Sequence, residues 1–452
     1  MPDLPDSPLS LWLAEYGEYA PEPALEGDID VDVAVVGGGL TGMATAIALK
    51  RRDPSLDVAV LEAKHVGYGA SGRNGSFAMT VVGLGIGVTA MMRGKAFLKR
   101  AHAWMERCVD ELERFIDANQ VNCDKIRPGF LRVATTPSYV KRLRKQVELI
   151  NSLGFDDIRW LDADATRAKV DSERYLGAFW EPRLLLVNPA KLVREEKRVA
   201  RELGVRVYES TPVLAVAKAG GDHRLLTPRG AVTARRLAFC TNAYSHLLAP
   251  LGRRQAPAFT YMIATEPLSD EQLAPIGWPG MEGIEDARNL IHYYRLTPDR
   301  RIVMGGGPVG LPSGGSLDHD RDERAWRHLE EYIHWLWPHL KGVEITHRWG
   351  GPFSVTLDLT PALGHLGEDR TAVYALGCIG HGVSMSYLHG EVLTDLLLDD
   401  DRGLAAECPF VNRKVIPWPG EPIAGIAKHA IRAYLQAEDA LHEQVLPALT
   451  RA

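Results

Sequence analysis

Three short stretches carry the residues most able to do chemistry. In "VVGGGLTGMA", Gly37, Gly39 and Gly42 stand at G-x-G-x-x-G spacing, and Glu62 lies twenty positions beyond Gly42. Glycines so spaced permit a tight turn, a close backbone approach to a pyrophosphate and close packing of a helix on a strand. The helix start, with Leu40 and Thr41, then faces the phosphates, and Glu62, with Ala63 beside it, accepts hydrogen bonds from a ribose. The second stretch, "GYGASGRNGS" (67–76), begins five positions after Glu62 and holds four glycines and two serines. Ordering so flexible a loop costs backbone entropy, which a ligand would offset. Its backbone N–H groups and Arg73 are expected to serve that ligand. In the third, "LGCIGHGVSMS", His381 stands between Gly380 and Gly382 at a helix start, where it either caps the helix or acts on a bound group.

The elements around these stretches must position them. Asp30 to Val36 alternates and then turns wholly apolar, as a buried parallel strand does. A helix pattern follows from Met43 to Lys50, ended by Asp53-Pro54, and Val58 to Leu61 makes the second strand of a βαβ unit. Amphipathic helices are predicted around Ala96 to Ala118, Tyr139 to Leu153 and from Asn188, with a strand at 129–135 and a strand then turn over 235–245. Residues 291–307 read as a hairpin around Pro298-Asp299, and the segment from Ala372 as strand, glycine loop and helix. Nucleotide-type segments at both ends predict an α/β chain: a Rossmann-like domain built from 29–90, 187–250 and 360–400. An α+β substrate domain with a mixed sheet is inserted as 91–186 and 251–359, and 401–452 forms a helical tail.

Composition narrows the functional classes. A net charge of −6 with dispersed basic residues leaves no nucleic-acid footprint. Five cysteines without a Cys-x-x-Cys pair argue for reduced thiols and against a zinc site or disulfide framework, so no metal is expected. The start lacks a basic, then apolar, leader, and the run from Thr80 is too short to span a bilayer, so the protein reads as cytoplasmic.

The dinucleotide is NAD or FAD. The loop directly after Glu62 favours FAD, whose long bent body needs polar backbone beyond the ribose. Together, "VVGGGLTG", "LEA", "GYGASGRNGS" and "LGCIGHGVSMS" resemble the D-amino-acid oxidase, glycine oxidase and sarcosine oxidase superfamily of FAD enzymes. "NPAKLVR", "YYRLTPDRRIVMGGG", "RWGGPFSVTLDLTPALG" and "GHGVSMSYLHGE" bring it closest to the gamma-glutamylputrescine oxidoreductase branch, from about Leu9 to Glu438. The resemblance implies that Ala70, Ser71, Arg73, Asn74 and Gly75 lie along the cofactor and that Val213 meets its adenine end. It also implies that Gly377, Gly380, Gly382 and Val383 approach the flavin.

Departures from the pattern sharpen the expectation. Gly350-Gly351-Pro352 stands where sarcosine oxidases often tether flavin through cysteine, which implies non-covalent FAD. Arg300 and Arg301 replace a strand lysine that assists oxygen in some oxidases, leaving oxygen or another acceptor open. Ser384 follows Val383 where carboxylate-binding relatives carry lysine, favouring an amine without an adjacent carboxylate. The resemblance implies oxidation of a primary or secondary amine to an imine by hydride transfer to flavin N5, then hydrolysis. Tyr293, Tyr294 and Trp349 are expected to wall the amine by packing and cation–π attraction, with His381 as the functional histidine. The alternatives are a glycine- or sarcosine-type oxidase of a small amino acid, an NAD-dependent dehydrogenase and a non-catalytic flavin-binding protein.

Overall fold

The computed structural model describes all residues except 1–3, 6, 84, 401–402 and 445–452. Parts of the expected tail and Leu84, within the run from Thr80, therefore lie outside the described residues.

The chain passes back and forth between two eight-stranded sheets. In the first, Ile29–Val36 lies parallel between Val58–Leu61 and Gly230–Phe239, and Ala372–Leu376 joins the far side of Gly230–Phe239. Val33 to Val36 are buried on both faces, as an inner parallel strand demands. The helix Leu40–Arg52 follows with Gly39 at its N-cap and no capping side chain there; Leu40 N–H donates instead to Ser71 Oγ at 3.0 Å. Lys50, Arg51 and Arg52 occupy its last turn, where positive charge complements the helix dipole.

The helix Gly382–Leu397 crosses Leu40–Arg52 at close range. A Cβ on Gly390 would come within 2.6 Å of backbone atoms of Ala44 and Thr45, so glycine is required for the two backbones to meet. The first and last segments of the nucleotide sheet are thereby locked together. The helix Lys95–Ala118 joins this core through Trp104, Met105, Cys108 and Leu112. A division of the sequence at residue 91 sets that helix with the second sheet; its apolar face instead packs on Gly382–Leu397.

The second sheet holds Phe130–Val133, Arg159–Leu161, Ala178–Glu181, Ala256–Thr265, Gly283–Asp286, His292–Leu296, Ile302–Gly306 and Ile345–Val355. It is mixed, because Gly283–Asp286 runs parallel to Phe130–Val133 and antiparallel to His292–Leu296. The helix Glu323–Leu336 covers one face with Trp326, Leu329, Ile333 and Leu336. The other face turns toward the first sheet.

Two terminal elements complete the frame. Leu11–Tyr16 is a short helix capped by Ser10, with Leu11 and Trp12 buried. Six residues are too few for helical periodicity to register. The C-terminal helix Ile423–Gln444 lies against the second domain: Asp439 accepts from the backbone N–H groups of Asn289 and Leu290, and Lys428 Nζ donates to Pro312 O. No helix among the described residues is long and apolar enough to cross a membrane.

Candidate active site

A cavity of about 440 Å³ runs between the two sheets. Gly37, Gly39, Leu40, Thr41, Glu62, Ala63 and Val213 line one end; Ala70, Ser71, Arg73, Asn74 and Gly75 line its length. Tyr293, Gly380, His381, Gly382 and Val383 line it farther on. One continuous space thus connects the glycine turn, the 67–76 loop and the strand–glycine loop–helix.

At the first end the site is made of backbone. Glu62 Oε2 accepts from Gly38 N–H at 2.7 Å, and Oε1 accepts from Lys64 N–H at 2.9 Å. Burial pushes its carboxyl up to about 7 against the lowering effect of those donors. Gly42 does not line the cavity. A Cβ there would stand 1.9 Å from Gly37 O, so its role is to let helix and turn pack. At Gly39 a Cβ would meet Ser71 Oγ at 2.8 Å, filling the cradle between turn and loop. A backbone-walled groove ending on a buried acid fits the phosphate and ribose of a dinucleotide.

The polar side chains of the 67–76 loop do something other than the sequence suggests. Arg73 lines the cavity, but its guanidinium donates to Asp320, Gly350 O and the Tyr244 hydroxyl. Asn74 Nδ2 donates to Ala70 O and its Oδ1 accepts from Ser76 N–H. These groups hold the loop's shape and leave its backbone to face the cavity. Ser10 Oγ donates to Gly72 O at 2.7 Å and Trp12 Nε1 to Asn74 O at 2.8 Å, strapping the loop from outside. Buried Arg295 anchors its end through Ser76 Oγ.

Alternation along the second sheet sorts the aromatic candidates. Tyr293 pairs across strands with Glu285 and with Gly305, and its ring lies in the cavity. A Cβ on Gly75 or Gly305 would come within 2.6 Å of that ring, so two glycines make its slot. Burial pushes its phenol up to about 12, and it donates a long bond to Thr260 Oγ1 at 3.5 Å. Tyr294 points to the opposite face, buried among Trp278, Tyr332 and Trp337, with its hydroxyl on Tyr175. It is a core residue and not a wall of the cavity. Trp349 is also fully buried outside the cavity: the N-terminal helix covers it, and its Nε1 donates to Arg73 O. It braces the loop from behind. Gly377 likewise lies outside the lining; its φ of +69° makes it a turn glycine against Thr356.

His381 is the N-cap residue of Gly382–Leu397 but makes no side-chain cap. Its Nε2 lies 3.0 Å from Gly83 O, and since a carbonyl only accepts, that nitrogen carries the proton. Nδ1 is left as an acceptor. Burial lowers the imidazole's pKa below its usual range, which keeps the ring neutral at neutral pH. Sequence reading missed further polar residues on the cavity wall, among them Arg132, Arg142, Gln146, Thr260 and Glu285. They come from separate strands and a helix, and no local motif joins them. Among the described residues no cluster suited to a metal ion is found.

The family described as FAD dependent oxidoreductase (DAO) matches residues 32–396. Gamma-glutamylputrescine oxidoreductase of Escherichia coli (strain K12) is 35% identical over 413 residues, covering 91% of this chain and 93% of its own. Glycine oxidase of Bacillus licheniformis is 24% identical over 373 residues, covering 81% of this chain and 93% of its own. The crystal structure of glycine oxidase from Geobacillus kaustophilus superposes with a TM-score of 0.69 at 21% identity, covering 86% of this chain and 99% of that one.

Proposed function

From a chain that belongs to the DAO family of FAD-dependent oxidoreductases, we propose an enzyme that oxidises a primary or secondary amine to an imine, which water then hydrolyses. The observation that carries the reading is the single cavity joining the nucleotide groove to Tyr293 and a neutral His381. Bound FAD supplies a two-electron acceptor for the hydride leaving the substrate's α-carbon.

The protein's own task is then to hold the amine as its free base, orient the C–H bond and keep water away. Tyr293, fixed between two glycines, offers a rigid face for the substrate's carbon chain. His381 Nδ1, left as an acceptor by the Nε2 bond to Gly83 O, takes an N–H of the neutral amine in this reading, which orients the nitrogen lone pair without needing a strong base. The N-terminus of Gly382–Leu397 brings positive partial charge beside the region where negative charge gathers. A polyamine derivative, the kind of substrate named in the 35%-identical relative, fits this reading. The electron acceptor is oxygen or another oxidant, and five unpaired cysteines fit a cytoplasmic setting.

We also propose that the FAD is held non-covalently. Gly351 and Pro352 line the cavity where a tethering cysteine would be needed, and burial raises the pKa of the cavity-lining Cys378 thiol, keeping it protonated and unreactive. Acid precipitation should leave the yellow colour in the supernatant; colour in the pellet refutes this. The amine reading is tested by anaerobic mixing with amines, alcohols and 2-hydroxy acids. Amines should bleach the flavin, faster as pH rises and the amine loses its proton. Faster bleaching by any alcohol or hydroxy acid overturns the assignment.

A further inference from the structure

The C-terminal helix Ile423–Gln444 reverses the usual amphipathic order of a surface helix. Its five charged side chains, Lys428, Arg432, Glu438, Asp439 and Glu443, are all bonded to the body of the protein. Lys428 Nζ donates to Pro312 O and Arg432 Nη1 to Val309 O. Glu438 accepts from Asn289 Nδ2, Asp439 from the Asn289 and Leu290 N–H groups, and Glu443 from Arg288 Nε. The outward side is apolar: Ile423 is 62% exposed, and Ile426, Tyr434 and Leu441 are each 67% exposed. A surface helix ordinarily presents charge to water and apolar residues to the core. An uncharged apolar strip along the outside marks a surface that another surface covers.

The spacing says what covers it. Ile423, Ile426, Ala430, Ala433, Ala437 and Ala440 recur at alternating steps of three and four, and all six are exposed. That is the a and d seam of a coiled coil, sustained for three heptads. Bulk is graded along it, with isoleucine at the first two positions and alanine at the last four. Two parallel copies would set Ile on Ile at one end and Ala on Ala at the other, and the helices would splay. In an antiparallel pair each a position meets a d position. Ile423 then meets Ala440 of a second copy, Ile426 meets Ala437, and Ala430 meets Ala433. Large packs on small at both ends of one two-fold axis, and Tyr434 at the flank packs over Ala427 of the second copy. Such a strip is complementary to itself, as a two-fold dimer interface must be. A lipid surface fits it less well. A helix lying on a membrane presents Lys and Arg beside its apolar face, whereas Lys428 and Arg432 are bonded inward and the chain carries a net charge of −6.

We propose that Ile423–Gln444 is a dimerisation helix that pairs antiparallel with the same helix of a second copy of this chain. Its inward side lines the cavity through Lys428, Ile431, Arg432 and Leu435, so the second copy backs one wall of the active site. At 22 residues the helix is about 33 Å long. A seam of that length is at the small end of stable interfaces, so dimer and monomer should exchange at micromolar concentration.

Sedimentation velocity on the FAD-loaded protein from about 1 to 100 μM should show the mass rising from monomer to dimer. Ala430→Glu sets an acid into the central layers of the seam and should raise the dissociation constant about tenfold or more, with flavin content unchanged because residue 430 is exposed. Orientation is read from Ile426→Cys and Ala437→Cys, each oxidised mildly alone and then as a mixture. The five native cysteines are buried or half-buried, and the unmodified protein serves as the blank. The mixture should give a disulfide between the two variants, and each variant alone should give little. Cross-linking of either variant to itself in preference to the mixture overturns the antiparallel pairing. A monomer at every concentration, a dimer that Ala430→Glu leaves equally tight, or a monomer that binds phosphatidylglycerol vesicles instead of pairing overturns the dimer.

Discussion

The two ends of the cavity are built from different materials. Around Gly37, Gly42 and Glu62 the wall is main chain, and side chains act mainly by their absence: a Cβ at Gly42 would stand 1.9 Å from Gly37 O. Around Tyr293 and Arg132 the wall is side chain, delivered by strands whose alternate residues face opposite cores. A site of the first kind is fixed by local spacing. A site of the second kind depends on register, where one step exchanges a cavity residue for a core residue, as Tyr293 and Tyr294 demonstrate.

The contrast can be pushed hardest at Gly42. Gly42→Ala should abolish FAD binding and lower the melting temperature, because the new methyl cannot coexist with Gly37 O; flavin-to-protein ratio and thermal unfolding report both. Normal flavin content in that variant would remove the backbone account of this end. Glu62→Gln should be milder, weakening FAD by about 1–3 kcal/mol, since an amide can accept at only one of the two positions where the Glu62 oxygens take backbone N–H groups. Equilibrium dialysis of FAD measures it.

At the other end, His381→Ala should slow flavin reduction by about 10- to 100-fold, roughly 1.4–2.7 kcal/mol, with FAD still bound. Since burial lowers the pKa of His381, the ring stays neutral as pH rises through neutrality. The rise of rate with pH then belongs to the substrate amine and should persist in the variant. Loss of that limb on rapid mixing would make His381 a general base. The smallest effect is expected at Tyr294→Phe. Its hydroxyl bonds Tyr175 in the core, so stability should fall by about 0.5–1.5 kcal/mol with steady-state kinetics unchanged.

Much of the first end was legible in sequence because glycine spacing, a buried strand and an acid are local signals. The predicted strand Val58 to Leu61 and hairpin at 291–307 coincide with Val58–Leu61 and the His292–Leu296, Ile302–Gly306 pair for the same reason. What stayed hidden depends on contacts far along the chain. Arg73 reads as a ligand-facing cation, yet Asp320 and Gly350 claim it. Trp12 belongs to no local motif, yet it bonds Asn74 O. Arg132, Arg142 and Gln146 meet on one wall only once a helix and a strand have packed.

The crossing of Gly382–Leu397 over Leu40–Arg52 has a consequence for biosynthesis. Ala372–Leu376 and that helix complete a sheet and a groove begun near residue 29. At roughly 5–20 residues per second, the glycine turn leaves the ribosome tens of seconds before its partner helix exists. The nascent nucleotide half must wait, its apolar helix face uncovered, until Gly382–Leu397 has been made. Cofactor capture should therefore await synthesis of residues 372–397, and cellular FAD supply should govern how much chain escapes degradation.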